Sequence, residues 1–72
     1  MPLINVQMLT GRSPDQKRAL IQELGETARR VLGVPEEALR IILTEVPAEH
    51  WGVGCRSMAE LRAAPDAKAP SP

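Results

Sequence analysis

Two stretches of the chain carry the apolar patterns of β-strands. Residues 3–9 alternate apolar and polar side chains, with Ile4, Val6 and Met8 at every second position. This period of two predicts a strand with one buried face. Residues 39–46 have a continuous apolar centre instead. That pattern is typical of a strand that is covered on both faces.

Between these strands, apolar residues recur at spacings of three and four, which predicts an amphipathic helix over residues 14–32. Ser13 followed by Gln16 is a capping-box sequence that favours a helix start at this point. Gly33 and then Pro35 are typical of a helix end. The apolar stripe of the helix comprises Leu20, Ile21, Leu24, Ala28, Val31 and Leu32.

The order strand, helix, strand predicts an α/β fold built as a short β-α-β subunit with parallel strands and a right-handed crossover. Residues 51–54 then indicate a short C-terminal hairpin or bulged edge segment. Residues 57–62 begin with a second capping box, but a helix so short is not stable alone. We therefore assign residues 2–62 to one domain and expect residues 63–72, rich in Ala and Pro, to be a disordered tail.

A chain of 72 residues is too small for a robust core of its own, because a domain of this size buries only ~60% of its unfolded surface. Disulfides, metals or oligomerisation make up the shortfall in small folds. Cys55 is the only cysteine, and with His50 it supplies at most two of the roughly four ligands of a zinc site. We expect no metal and an obligate oligomer, in which a second subunit covers the bare sheet face.

The charge balance of the chain excludes some classes of partner. Nine basic residues balance nine acidic ones, so no field attracts nucleic acid or an anionic membrane surface. No signal-peptide pattern and no apolar run of membrane-spanning length stand out. The expectation is a cytoplasmic protein that has no nucleic-acid or membrane partner.

The first candidate for chemistry is Pro2. If Met1 is removed, as happens when the second side chain is small, Pro2 becomes a secondary amine at the start of a strand. Apolar surroundings and nearby cations lower the pKa of an amine, and a base poised near the working pH is the most effective one. A proline at this position is weak evidence by itself.

Arg12, in the turn before the helix, and Arg40, at the start of the second strand, strengthen the case. Each has an ordinary interpretation, as an exposed turn residue or as a charge at a strand end. In the functional interpretation both guanidinium groups bind carboxylate or enolate oxygens through paired hydrogen bonds.

Trp51 is the only aromatic residue. It is either core filler or the apolar wall of a pocket. His50 is better interpreted as a surface loop residue, and Cys55 as an inert thiol.

Taken in register, these segments resemble the 4-oxalocrotonate tautomerase family. The resemblance rests on Pro2, on Leu-Thr-Gly-Arg-Ser at residues 9–13, on Leu-Arg-Ile-Ile-Leu-Thr-Glu at residues 39–45 and on His-Trp-Gly-Val-Gly at residues 50–54. It spans roughly residues 2 to 62 without a gap. No single segment is specific, but the set in register is.

The resemblance implies subunits that assemble as a homohexamer, a trimer of dimers, and an isomerase that needs no cofactor. Pro2 would act as the base and then as the acid. Arg12 would bind the distal carboxylate of the substrate, and Arg40, from a neighbouring chain, its reacting end. Trp51, where the family usually has phenylalanine, and Leu9 would form the apolar wall.

The implied reaction is the ketonisation of a 2-hydroxy-2,4-dienoate or a related enol acid, with a small dicarboxylate as the expected substrate. Tryptophan in place of phenylalanine alters the pocket volume, and Cys55 replaces a turn glycine of the hairpin. Two alternatives stay open. One is a non-catalytic oligomeric binding module, and the other is the same scaffold performing a different proline-dependent step in a biosynthetic pathway.

Overall fold

The computed structural model describes residues 2–63, which form one β-α-β unit followed by a hairpin and a short helix. The strands and helices, in chain order, are β1 (Leu3–Leu9), α1 (Pro14–Leu32), β2 (Arg40–Val46), β3 (Gly52–Val53), β4 (Arg56–Ser57) and α2 (Met58–Ala63). Single turns of 3-10 helix lie at Glu36–Ala38 and Ala48–His50. Ala63 is the last residue of α2, and the remainder of the expected tail lies outside the described residues.

β1 and β2 pair in parallel over their whole length, from Leu3 opposite Arg40 to Leu9 opposite Val46. The pairing continues past the end of β1, where the Thr10 N–H donates to the Val46 carbonyl at 3.1 Å. The predicted β-α-β topology is therefore confirmed.

β2 starts one residue later than predicted. The Leu39 N–H donates to the Glu36 carbonyl, which closes the 3-10 turn and keeps Leu39 out of the sheet.

α1 has the predicted bounds because local hydrogen bonds fix both ends. The Ser13 hydroxyl accepts from the Gln16 N–H at 3.1 Å, and the Gln16 side chain accepts from the Ser13 N–H at 3.0 Å. At the other end Gly33 has a left-handed φ of 67° and donates its N–H to the Arg29 carbonyl at 2.9 Å. The predicted capping box and the predicted glycine stop are both confirmed.

α1 packs on the sheet face that carries Ile41. Gly25 lies against this strand, since a Cβ built on it would stand 3.4 Å from the Cδ1 atom of Ile41. Only part of the predicted apolar stripe makes this contact. Leu20, Leu24 and Ala28 are half-buried, whereas the remaining members are exposed, namely Ile21, Val31 and Leu32.

Within residues 2–63 the opposite sheet face is covered at Leu9 but remains exposed over the rest of its length. Leu3 is 57% exposed and Ile42 is 48% exposed. Leu9 and Met58 are the only buried hydrophobic residues in the described chain. Among the described residues the predicted bare face is confirmed at Leu3 and Ile42, where the sheet is covered on one face only.

The segment after β2 folds as the predicted hairpin. β3 and β4 pair antiparallel, with Val53 opposite Arg56. Gly54 takes the left-handed conformation that the turn requires, with a φ of 63°. Cys55 follows it without a positive φ, so the turn accommodates cysteine at this position.

α2 begins at the second predicted capping box. The Glu60 carboxylate accepts from the Ser57 N–H at 3.1 Å, and the Ser57 hydroxyl accepts from the Glu60 N–H at 3.2 Å. The Met58 N–H donates to the Trp51 carbonyl at 2.7 Å. This last bond ties α2 to the segment that enters the hairpin.

Neither helix within residues 2–63 has the length and apolarity needed to cross a membrane.

Candidate active site

Pro2 lies directly before β1 and is half-buried. Its carbonyl accepts a hydrogen bond from the Arg40 N–H at 3.1 Å, so the sheet ladder holds its backbone in place. The Pro2 nitrogen is an amide in the printed sequence, because Met1 precedes it. It becomes an amine only when Met1 is cleaved.

Arg40 is the first residue of β2 and therefore lies at the same end of the sheet as Pro2. Its Nη1 atom donates to the carbonyl oxygens of Glu37 at 2.7 Å and of Leu39 at 2.8 Å. These bonds orient the guanidinium along the turn that leads into β2. Its remaining N–H groups can still form paired hydrogen bonds with a carboxylate.

Arg12 lies in the turn between β1 and α1, directly before the capping residue Ser13. It is exposed, and within residues 2–63 it has no ion-pair partner. The adjacent helix start favours anions, since unpaired N–H groups and the helix dipole are concentrated there. Arg12 is thus placed to bind an anionic group.

A cavity of about 260 Å³ lies beside Arg12, and Leu9 forms part of its lining. Leu9, which is only 4% exposed, is the one large apolar side chain in this lining, and Arg12 contributes a guanidinium. The other residues that line it are Thr10, Gly11 and Arg62.

Sequence reasoning missed Arg62 as a neighbour of Arg12. The capping box at Ser57 predicts a helix that contains Arg62, but its position depends on how the hairpin folds back on the sheet. No local pattern encodes that long-range arrangement.

Arg12 also lines a second cavity, of about 220 Å³, on the helix side of the sheet. Met8, Gln16, Lys17 and Leu20 complete this lining. A larger cavity of about 490 Å³ lies between the middle of α1 and the start of β2. It contains none of the predicted site residues, so size alone does not mark the candidate site.

Trp51 is half-buried between the 3-10 turn and the hairpin. The backbone N–H of Trp51 donates to the Ala48 carbonyl at 3.3 Å, and its backbone carbonyl accepts from the Met58 N–H. Both bonds fix the backbone from which the indole projects. His50 is exposed, in agreement with its interpretation as a surface residue, and Cys55 is also exposed.

The candidate residues form two groups at opposite ends of the sheet. Pro2 and Arg40 lie at its amino end, whereas Leu9, Arg12 and Trp51 follow its carboxyl end. β1 has seven residues, and at about 3.3 Å per residue it separates the two groups by about 23 Å. Within one subunit Pro2 lies beside Arg40 in the sheet ladder and Leu9 shares a cavity with Arg12, but the two groups lie apart.

Comparison with known proteins by sequence finds tautomerases in each case. The model of the tautomerase enzyme family matches residues 2–60. A probable tautomerase of Ralstonia nicotianae is 51% identical over 53 residues, which cover 74% of this chain and 76% of that protein. A 2-hydroxymuconate tautomerase of Pseudomonas putida is 41% identical over 61 residues, covering 85% of this chain and 97% of that protein.

Two solved structures have the same fold. TomN, a 4-oxalocrotonate tautomerase homologue in the tomaymycin biosynthetic pathway, is 51% identical with a TM-score of 0.85, covering 90% of this chain and 100% of that one. A chain of a heterohexameric 4-oxalocrotonate tautomerase from Chloroflexus aurantiacus is 47% identical with a TM-score of 0.79, covering 86% of this chain and 100% of that one.

Proposed function

This chain belongs to the tautomerase family, and from that premise we propose that it ketonises a small 2-hydroxy-2,4-dienoate with Pro2 as the acid–base group. The observation that carries the proposal is the position of Arg12. This residue lines a cavity together with the buried Leu9. A small cavity that combines the Leu9 side chain with the guanidinium groups of Arg12 and Arg62 suits the carboxylate end of an unsaturated carbon chain.

The proposed reaction is a proton relocation. The neutral amine of Pro2 takes the proton from the 2-hydroxyl group of the substrate. Electron density shifts along the conjugated chain, the C–O bond becomes a carbonyl, and the proton returns from Pro2 to a distal carbon. Atoms and electrons balance within the substrate, so the reaction consumes no co-reactant.

The two arginines stabilise charge in this scheme. Arg12 binds the distal carboxylate, and Arg40 of a neighbouring subunit binds the carboxylate and oxygen at the reacting end, where negative charge develops. Fixed donors aimed at such a developing charge carry much of enzymatic catalysis. Leu9 and Trp51 supply apolar surface that excludes water and favours the uncharged form of the amine.

We propose that the site is assembled from several subunits, as in a homohexamer built from three dimers. Pro2 and Arg12 are separated by the length of β1, and a small enol acid does not span that distance. Neighbouring sheets that run in opposite directions would place the carboxyl end of one beside the amino end of the next. The exposed Leu3 and Ile42 provide apolar surface for such an assembly.

The direct test is the conversion of 2-hydroxymuconate by the purified protein, followed by ultraviolet absorbance. Intact-mass measurement first establishes that Met1 has been removed. We expect Pro2→Ala to lower kcat/KM by about 10²–10⁴-fold, the usual contribution of a general base. His50→Ala is the matched control, because His50 is exposed and lies outside the proposed chemistry.

Equal losses in the two variants, with the oligomer intact, would refute the role of Pro2. A protein with a free amino-terminal proline that turned over no enol acid would instead favour a non-catalytic binding module.

A second candidate function is a proline-dependent step in a biosynthetic pathway, favoured by the likeness to TomN. Trp51, with its larger ring in place of the phenylalanine usual in the family, points to a substrate of different shape from that of the typical members. A panel of enol acids and other electrophiles, assayed with the same protein and with Pro2→Ala, separates the two candidates. Proline-dependent turnover of another electrophile, without ketonisation of dienoates, would support the second.

A further inference from the structure

One ion pair joins α1 to the sheet. The Nζ atom of Lys17 lies 2.6 Å from the Oε1 atom of Glu45, and the two side chains are 30% and 31% exposed. The other ion pairs of residues 2–63 are local, either within α1 or from β4 to α2. The Lys17–Glu45 pair is therefore the only tertiary ion pair in the described chain.

This pair completes a ring of bonds around the turn that carries Arg12. On one side the Thr10 N–H donates to the carbonyl of Val46, the residue that follows Glu45. On the other side the Lys17 N–H donates to the Ser13 carbonyl at 3.1 Å. Arg12 lies between Thr10 and Ser13, so the ion pair links both anchor points of its turn.

One member of the same pair, Lys17, shares a cavity with Arg12. Lys17 and Arg12 line one cavity of about 220 Å³, and Glu45 is the ion-pair partner of that Lys17. In a partly buried place the attraction between opposite charges is several times stronger than in water. If the ammonium of Lys17 were removed, the Glu45 carboxylate would lose its partner, and Arg12 is the other cation in the lining of that cavity.

We infer that Lys17 is a positioning residue: by engaging Glu45 it keeps the Arg12 guanidinium available for the distal carboxylate of the substrate. This inference rests on the proposed function. It assigns to the pair a role in recognising a dicarboxylate, in addition to any role in stability.

The test compares two dienol substrates, one with a distal carboxylate and one without, in Lys17→Met. Methionine keeps most of the length and the apolar stem but removes the charge. We expect kcat/KM for the dicarboxylate to fall about tenfold, mainly through KM, as is usual for the loss of a hydrogen bond to a charged group. For the monocarboxylate the change should be within about twofold, since Arg12 contributes little to binding it.

Arg18→Met is the matched control. Arg18 is the next residue of α1 and forms an ion pair of 2.9 Å with Asp15, but the two side chains are 74% and 89% exposed. It should leave the ratio of the two kcat/KM values unchanged. In the double variant Lys17→Met with Glu45→Gln, the competing carboxylate is gone, and the preference for the dicarboxylate should return to within about threefold of the wild type.

Equal losses for both substrates in Lys17→Met, or no recovery in the double variant, would overturn the inference. Arg12→Ala distinguishes this failure from a failure of the proposed function. If Arg12→Ala abolishes the preference for the dicarboxylate while Lys17→Met does not change it, the proposed function stands and the role of Lys17 is wrong.

Discussion

At the residue scale, two glycines in and after α1 serve different purposes. Gly25 lies within the helix, where the space above its Cα is occupied by Ile41 at ordinary contact distance. Gly33 ends the helix with a φ of 67°, and a Cβ there would meet no atom within 4 Å. Gly25 therefore matters for packing against the strand, and Gly33 matters for the backbone conformation that ends the helix.

Gly25→Ala is expected to raise the free energy of unfolding by roughly 0.5–1 kcal/mol, because alanine is the better residue in a helix interior. The new methyl group would rest 3.4 Å from the mobile end of the Ile41 side chain, which can adjust. Chemical denaturation monitored by circular dichroism measures the change. A loss of stability would show that the strand needs a closer approach than the structure displays.

Gly33→Ala is the paired control, and it should act in the opposite direction. The left-handed conformation is unfavourable for alanine, so we expect a loss of about 1 kcal/mol. The open space around Gly33 excludes a steric clash as the cause of that loss.

At the scale of elements, the short helix α2 depends on its cap. The Ser57 backbone N–H donates to the Glu60 carboxylate and lowers the pKa of Glu60 below its ordinary value of 4.5, and the Ser57 hydroxyl and Arg56 act in the same direction. A carboxylate whose pKa is lower in the folded state stabilises that state above its unfolded pKa. Its contribution is lost as the pH falls through the folded pKa.

The thermal stability of the wild type should therefore decline on acidification below about pH 4.5, the ordinary pKa of Glu60. Glu60→Gln keeps an acceptor for the Ser57 N–H but does not titrate. The variant should therefore lack the part of the acid-induced loss of stability that comes from protonation of Glu60. Melting curves of both proteins between neutral and acidic pH measure the difference. The cap assignment would be wrong if the two proteins lost stability in parallel over the whole range.

The elements that sequence predicted well are those fixed by local bonds. α1 has capping residues at both ends, and the alternation in β1 directly gives the face that α1 covers. Arg12 was assigned to its turn because two local signals enclose it. The Lys17–Glu45 pair and the approach of Arg62 to Leu9 were not predicted, since each joins segments that are distant in the chain.

The width of the apolar stripe on α1 illustrates the same limit. Leu20 and Leu24 are half-buried in the subunit, whereas Ile21 and Val31 remain exposed. Periodicity identifies an apolar face but not the surface that covers it. The sequence therefore predicts the stripe but not which part of it the same subunit covers.

At the scale of the whole molecule, the bare sheet face calls for a partner. Ile42→Lys places a charge at its centre and should prevent assembly, because a charge buried without a partner is strongly unfavourable. Light scattering coupled to size exclusion would then give a mass nearer that of one subunit. Activity should be lost with the assembly, although Ile42 is not among the proposed catalytic residues.

Ala19→Lys adds the same charge on the outer, exposed side of α1. It should leave both mass and activity as in the wild type. A fully active monomer of Ile42→Lys would contradict a site built from several chains.

The separation of the two residue groups by the length of β1 also bears on how such a protein can evolve after its gene is duplicated. Each subunit would contribute its proline end to one site and its arginine end to another. One copy can then lose Arg12 and the other can lose Pro2, and a mixed assembly still contains complete sites. Neither copy works alone from that point, so selection retains both, and a division of labour becomes fixed without any new function having arisen.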